Sequence, residues 1–254
     1  KKHMEIRYLT QINIHSYWKN FFWKEISNSS FLKEEKILKK NSDFNFYQNN
    51  GGTVLGVSAE NFSLIASDTR FSLGMALPTR GTTRIIKISS NIILASAGMY
   101  SDIFFLQNLI QAGIKKFKNE NLEKCLISSC AFYLSYILYS KRFFPYYSFN
   151  LLSGLEKNRE GSVFCFDAIG SFEKTFISCV GNGQSQIQPI LDGVFQKKSL
   201  AGKKDFRTLL DAKNCIKEIF IKIAQRNISI GDGLQIFIVT KKGIFVENHF
   251  LKLD

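Results

Sequence analysis

The chain is short of the residues from which most enzyme sites are built. Histidine occurs three times, as His3, His15 and His249, and two of these lie in an irregular leading stretch, which leaves little from which to build a serine–histidine–aspartate site. The five cysteines, Cys125, Cys130, Cys165, Cys179 and Cys215, are odd in number, sit in apolar segments and lack any Cys-x-x-Cys spacing. A disulfide framework and a zinc knuckle are thereby excluded, and buried free thiols are expected. Cys125 and Cys130 fall five apart on a predicted helix, where they share a face poorly, so a core role is read for both. No His-Glu-x-x-His, P-loop or Gly-x-Gly-x-x-Gly pattern occurs, so neither a metal nor a cofactor is expected. Only three prolines and no long block of one charge sign are present, which rules out linker, collagen and disordered compositions. No apolar run approaches the ~18 residues of a membrane helix, and no basic start leads into a short apolar core. No membrane association is expected, and cytoplasm and nucleus follow by default. Without a secretory route, the Asn-x-Ser triplets at Asn28, Asn61 and Asn227 are chance matches.

What is present is core-forming material. Of the 254 residues, 45% are hydrophobic and 14% aromatic, ample for a large buried interior. Lysine and arginine number 34 against 21 acids, for a net charge of +13, a balance that raises the question of nucleic acid. The charge is spread over separate pairs such as Lys39-Lys40, Lys115-Lys116 and Lys241-Lys242. That pattern describes a solvated basic surface and not one recognition stripe, so no nucleic-acid partner is expected.

The chain changes character near residue 50. Residues 1–50 mix Asn and Lys with an aromatic knot, Tyr17-Trp18 and Phe21-Phe22-Trp23, and a short helix is predicted from Phe31 to Lys40. They read as a leader-like extension, and the Lys1-Lys2-His3 run ahead of Met4 leaves the translation start open. Residues 51–254 read as one domain. Strands are predicted over 53–59, 63–68, 84–88 and 91–97. Helices follow over 101–118, with Phe104, Phe105, Leu109, Ile110, Ile114 and Phe117 on the buried face, and over 122–139. Strands return over 148–155, 162–167 and 175–180. A short helix over 184–191 and a long one over 206–225, with Leu209, Leu210, Ile216, Ile219, Phe220 and Ile223 inward, precede a last hairpin, 234–240 and 244–250. This order argues for an α+β domain of antiparallel sheets covered by helix pairs, and against a doubly wound parallel sheet.

One junction stands apart from this pattern: Gly51-Gly52-Thr53-Val54-Leu55-Gly56 follows the irregular leader and precedes Ala66-Ser67-Asp68-Thr69-Arg70. Together with Phe44-Asn45-Phe46-Tyr47, Arg142-Phe143-Phe144-Pro145-Tyr146-Tyr147, Phe166-Asp167-Ala168-Ile169-Gly170-Ser171 and Gly231-Asp232-Gly233-Leu234, it resembles the proteasome β-subunits. They belong to the N-terminal nucleophile hydrolases, in which a leader is cleaved ahead of a threonine whose amine and hydroxyl then cut peptide bonds. The likeness runs from Phe44 to the C-terminus and is narrowest to the sixth member of the β-ring. It implies a four-layer α-β-β-α sandwich of two antiparallel sheets. It also implies α- and β-subunits of a hetero-oligomeric 20S core as partners, with Phe143-Phe144 and Tyr146-Tyr147 going either to an interface or to the core. A basic loop, Gln196 to Lys204, is shorter here than in the family.

The resemblance also implies a degenerate site. Gly52 takes the nucleophile's place, and Asp68, sixteen residues on, matches the family's buried aspartate. Thr53 comes one residue late, and alternation along a strand turns its hydroxyl to the opposite face. Arg84 stands where the family has a lysine, and arginine does not release its proton. Asn227 and Ile230 stand for a supporting aspartate and serine, and Asn182, in the Gly181-Asn182-Gly183 turn, is a further departed position. Gly98 keeps the place of an oxyanion glycine, which without a nucleophile hydrolyses nothing. No catalytic residue is therefore expected. The alternative register, with Thr53 as nucleophile, moves the aspartate's place to Thr69 and the lysine's to Ile85.

Overall fold

The computed structural model describes residues 46–122, 125–200 and 208–251, with backbone only for 195–200. The predicted helix over 31–40 and the aromatic knot before it lie outside the described residues. The chain separates into two units between Phe46 and Tyr47, and the second holds every described strand and helix. The body of this unit thus begins ahead of residue 51. Tyr47 Oη donates to the Pro145 carbonyl at 2.7 Å and its ring lies 5.5 Å from that of Phe144, which brings two of the motifs singled out in the sequence into contact.

Strands β1 (Thr53–Ser58), β2 (Phe62–Asp68), β10 (Ile177–Gly181), β11 (Gly233–Thr240) and β12 (Gly243–Phe250) form one antiparallel sheet in the order β10-β1-β2-β11-β12. Strands β5 (Ile85–Ser89), β6 (Ile92–Gly98), β7 (Ser148–Leu155), β8 (Gly161–Phe166) and β9 (Phe172–Thr175) form the second, in sequence order. Alternation along β1 decides the layering. Leu55 and Val57 join Ile187 and Leu191 of α3 (Gln184–Leu200) and Ile216, Phe220 and Ile223 of α4 (Leu209–Ala224) in one apolar cluster. Val54, from the other face, packs with Ile93, Leu151 and Val163 of the opposing sheet. Helices α1 (Tyr100–Asn121) and α2 (Ile127–Ser140) cover the far side of the second sheet. The result is the α-β-β-α sandwich, in which each fully buried Leu or Ile contributes about 1.5–3 kcal/mol.

The helix termini and turns have identifiable causes. Thr208 caps α4 by accepting from the Asp211 N–H at 3.1 Å, with Asp211 in the first turn and Lys222 in the last. Asp167 Oδ1 accepts from the backbone N–H groups of Ile169, Gly170 and Ser171, so the Asp-Ala-Ile-Gly-Ser run is a turn organised by one carboxylate.

Several sequence expectations are corrected. The buried stripe of α1 is Ile103, Leu106, Gln107, Ile110 and Ile114; Ile110 and Ile114 are as expected, whereas Phe104, Phe105 and Leu109 point outward, because three-and-four spacing back from Ile110 and Ile114 selects Ile103, Leu106 and Gln107. Leu210 of α4 is likewise exposed. The single strand expected over 175–180 is two, β9 pairing with β8 in one sheet and β10 with β1 in the other, with Phe176 exposed at the crossover. A short hairpin, β3 (Phe71–Leu73) and β4 (Ala76–Thr79), is additional to the expected strands; neither of its strands is long enough to show alternation. Helix α3 runs on to Leu200 with Pro189 inside it, so Gln196 to Leu200 of the expected basic loop are helical, and 201–204 lie outside the described residues. Cys165 and Cys215 are only half-buried, whereas Cys125, Cys130 and Cys179 are buried. Helix α2 starts at Ile127, so Cys125 precedes it, and its Sγ lies 3.3 Å from that of Cys130.

Candidate functional site

The Gly-Gly pair ahead of β1 adopts conformations that side chains resist, with φ of 73° at Gly51 and 91° at Gly52. The chain is held there by both neighbours: the Asn182 N–H donates to the Gly52 carbonyl at 3.0 Å, and the Thr53 N–H donates to Asp68 Oδ1 at 2.7 Å. A Cβ built on Gly52 would fall on the guanidinium of Arg84. Space for a side chain at residue 52 is therefore already filled.

Arg84 immediately precedes β5 and is fully buried. Its Nη2 donates to the Arg70 carbonyl at 2.5 Å and to the Asn50 carbonyl at 3.3 Å. Its Nε lies 3.8 Å from Asp68 Oδ1, close enough for charge attraction and too far for a hydrogen bond. Nε and Nη1 of Arg84 and Oδ2 of Asp68 have no hydrogen-bond partner among the described residues. Burial pushes the Asp68 carboxyl up to about 6, against the opposing pull of Arg84 and the Thr53 N–H. Gln107 of α1 donates to the Arg84 carbonyl at 3.0 Å, which ties the arginine to the helix layer.

Thr53 is fully buried and its Oγ1 accepts from the Gly183 N–H at 2.9 Å. It shares the helix-side face of β1 with Leu55, whereas Gly52 shares the inter-sheet face with Val54. Ile230 is buried in the helix-side core and approaches Gly183 beside Thr53. The Gly98 carbonyl accepts from the Asn50 N–H at 3.2 Å, and Asn182 Oδ1 accepts from Asn49 at 2.9 Å. Gly52, Thr53, Asp68, Arg84, Gly98, Asn182 and Ile230 therefore gather around the head of β1. Asn227 does not join them: its Oδ1 caps the Ser229 N–H at 3.0 Å and its amide reaches Gln186 at 3.4 Å. No cluster of three or more metal-ligating side chains is found among the described residues, and no described helix is long and apolar enough to cross a membrane.

Arg70 and Asp232 lie inside two of the sequence motifs, neither of which assigns them a role. Arg70 Nε donates to Asp232 Oδ2 at 2.8 Å and Nη2 to Oδ1 at 3.1 Å, while Arg80 reaches the same Oδ1 at 2.8 Å. A partial signal exists in the sequence, since Asp232 is a charge between two glycines, Gly231 and Gly233. An open groove of about 490 Å³ lies at the other end of β11, lined in part by Leu209, Thr240, Lys241 and Phe245, and touches none of these residues.

Residues 48–239 match the family model described as proteasome subunit. The chain is 35% identical over 212 residues to proteasome subunit beta type-1-B of Carassius auratus, covering 83% of this chain and 90% of that one. It is 34% identical over 223 residues to proteasome subunit beta type-1 of Arabidopsis thaliana, covering 86% of this chain and 100% of the relative. To proteasome subunit beta type-6 of Saccharomyces cerevisiae it is 33% identical over 243 residues, covering 89% and 98%. With this match over most of its length and the sandwich of two five-stranded sheets, the chain belongs to the proteasome subunit family, as a β-type subunit.

Proposed function

We propose that the chain is a non-catalytic structural β-subunit of the 20S core particle, an inactive member of a threonine-type endopeptidase complex that helps build the ring and chamber in which proteins are degraded. The observation that carries this reading is the guanidinium of Arg84 in the space a side chain on Gly52 would need. A nucleophile at this place needs a hydroxyl and a neighbouring base able to take a proton. Gly52 has no hydroxyl, and the basic side chain beside it is an arginine, a residue type that does not exchange its proton in catalysis. Thr53, the only hydroxyl beside it in the chain, is buried, turned to the other face and occupied by the Gly183 N–H.

Partners in this reading are the other α- and β-subunits of a hetero-oligomeric core in cytoplasm and nucleus, with no cofactor, metal, nucleic acid or membrane required. Exposed aromatic side chains support a role in assembly: Phe143 is 90% exposed and Phe104 60%, and Phe105 and Phe144 are also open to solvent. Such surface is costly unless neighbours cover it. The residues ahead of Tyr47 act as a leader-like extension that this chain does not remove itself. An active neighbour trims it near Asp43 and Phe44, upstream of the Tyr47–Asn50 stretch that packs into the body. Intact-mass measurement of the subunit in the native core particle, after treatment with a covalent threonine-directed inhibitor, tests the reading. An N-terminus upstream of Gly51 and no adduct are expected, while active neighbours are labelled. An N-terminus at Thr53 carrying the inhibitor overturns it.

A further inference from the structure

Cys125 and Cys130 occupy defined positions at the start of α2. Leu126 is the N-cap, in extended conformation and without a side-chain cap. Cys125 therefore stands at the position before the cap and Cys130 at the fourth helical residue. Apolar residues at these two places commonly pack as a hydrophobic staple that sets how the chain enters the helix. Here the staple consists of two thiols, 3.3 Å apart and both buried, and the Leu126 carbonyl already accepts the Cys130 N–H at 2.9 Å. We propose that this pair is a redox modification site, a dithiol that closes to an intramolecular disulfide when the particle meets a hydroperoxide.

The geometry and the chemistry agree. Closing the bond requires the sulfurs to approach from 3.3 Å to about 2.05 Å. The hydrogen bond to Cys125 and burial both hold the Cys130 thiol well above its ordinary value, which keeps Cys130 in its thiol form while the site is closed. On opening, the thiolate of one cysteine attacks one peroxide oxygen, the O–O bond breaks, and the leaving hydroxide is protonated to water. The sulfur of the other cysteine then attacks the resulting sulfenic sulfur, its proton leaves with the displaced hydroxide, and a second water is released. Two thiols are oxidised and one peroxide is reduced. Burial of both sulfurs makes the reaction depend on brief fraying of the helix start at Leu126 and Ile127, and the product ties that uncapped start covalently. The inference is independent of whether the subunit is catalytic.

The test uses the assembled core particle. Lys124 and Lys141 bound a tryptic peptide that contains both cysteines and no other basic residue. After graded hydrogen peroxide, denaturation and alkylation, that peptide is expected to lose both alkyl groups and to be lighter than the dithiol by two hydrogen atoms. Dithiothreitol before alkylation restores both groups. In Cys130→Ser particles the lighter species is absent and Cys125 is captured as sulfenic acid by a dimedone-type trap. Retention of both alkyl groups at doses that oxidise half-buried Cys215, or overoxidation of a single sulfur in the unaltered chain, overturns the proposal.

Discussion

Arg70 and Arg84 are both fully buried at the same end of the first sheet, yet their surroundings treat the charge differently. Arg70 has a bidentate carboxylate in Asp232 and donates its remaining arm to the Ile228 carbonyl at 2.8 Å. Arg84 has two carbonyls on one nitrogen, a carboxylate held at 3.8 Å, and two nitrogens with no described partner. Burial of a guanidinium is tolerated when geometry and hydrogen bonding compensate desolvation. The first site meets that condition and the second meets it only in part. The second is also the one that stands over a missing side chain, where the resemblance puts the nucleophile. Arg70 thus works as a clamp joining two loops, and Arg84 as a filler of the space beside Gly52.

The largest effect should come from breaking the clamp. Asp232→Ala leaves the Arg70 charge buried without its carboxylate and is expected to cost about 3–5 kcal/mol, read as a lower denaturant midpoint at unchanged slope. Equal loss from Asp68→Ala would erase the distinction between the two arginines. Asp68 offers a second handle through pH. Its carboxyl is raised in the folded state from 3.8 to about 6, so the native chain holds this proton more tightly than the unfolded one. The contribution is fully present below about pH 4, falls as pH rises through about 6, and is flat above that, a change of about 3 kcal/mol in total. Asp68→Asn is expected to remove that slope from the unfolding free energy across pH 4–6, and a slope left intact would assign it to other groups.

Much of this is legible in the sequence, and the limits have physical causes. The strand pair at Thr53–Asp68 and the final hairpin show in runs bounded by turn residues, and the motif register places Gly52 and Arg84 on facing elements. Alternation alone sets Thr53 on the opposite face from Gly52. Long-range pairing is not legible: Tyr47 with Pro145, and Arg70 with Asp232, lie 98 and 162 residues apart, and no periodicity encodes such a meeting. Helix phase fails at Phe104 and Phe105, since hydrophobicity alone does not distinguish a core residue from an exposed one. The thiol pair is hidden because apolar spacing starts α2 too early, which puts Cys125 on a helical face instead of ahead of the cap.

Steric occupancy gives the next smaller test. Gly52→Ala introduces a Cβ at φ 91°, onto the Arg84 guanidinium, and is expected to cost about 2 kcal/mol. In an Arg84→Ala background part of that cost should vanish, leaving only the backbone term, and the coupling between the two substitutions measures how far Arg84 fills the site. Strict additivity would mean that the two residues do not contend for the same space.

The smallest effect belongs to a pair whose charges water already satisfies. Lys174 Nζ lies 2.6 Å from Glu156 Oε1, closer than any ion pair of Arg84, but Lys174 is half exposed. Distance by itself would rank this contact first. Solvent screening and the entropy of holding a long side chain reverse that order, and Lys174→Ala is expected to cost less than about 1 kcal/mol, shrinking further as salt is raised. A loss approaching that of Asp232→Ala would show that separation, and not the completeness with which a buried charge is met, governs the energetics of these arginine and lysine sites.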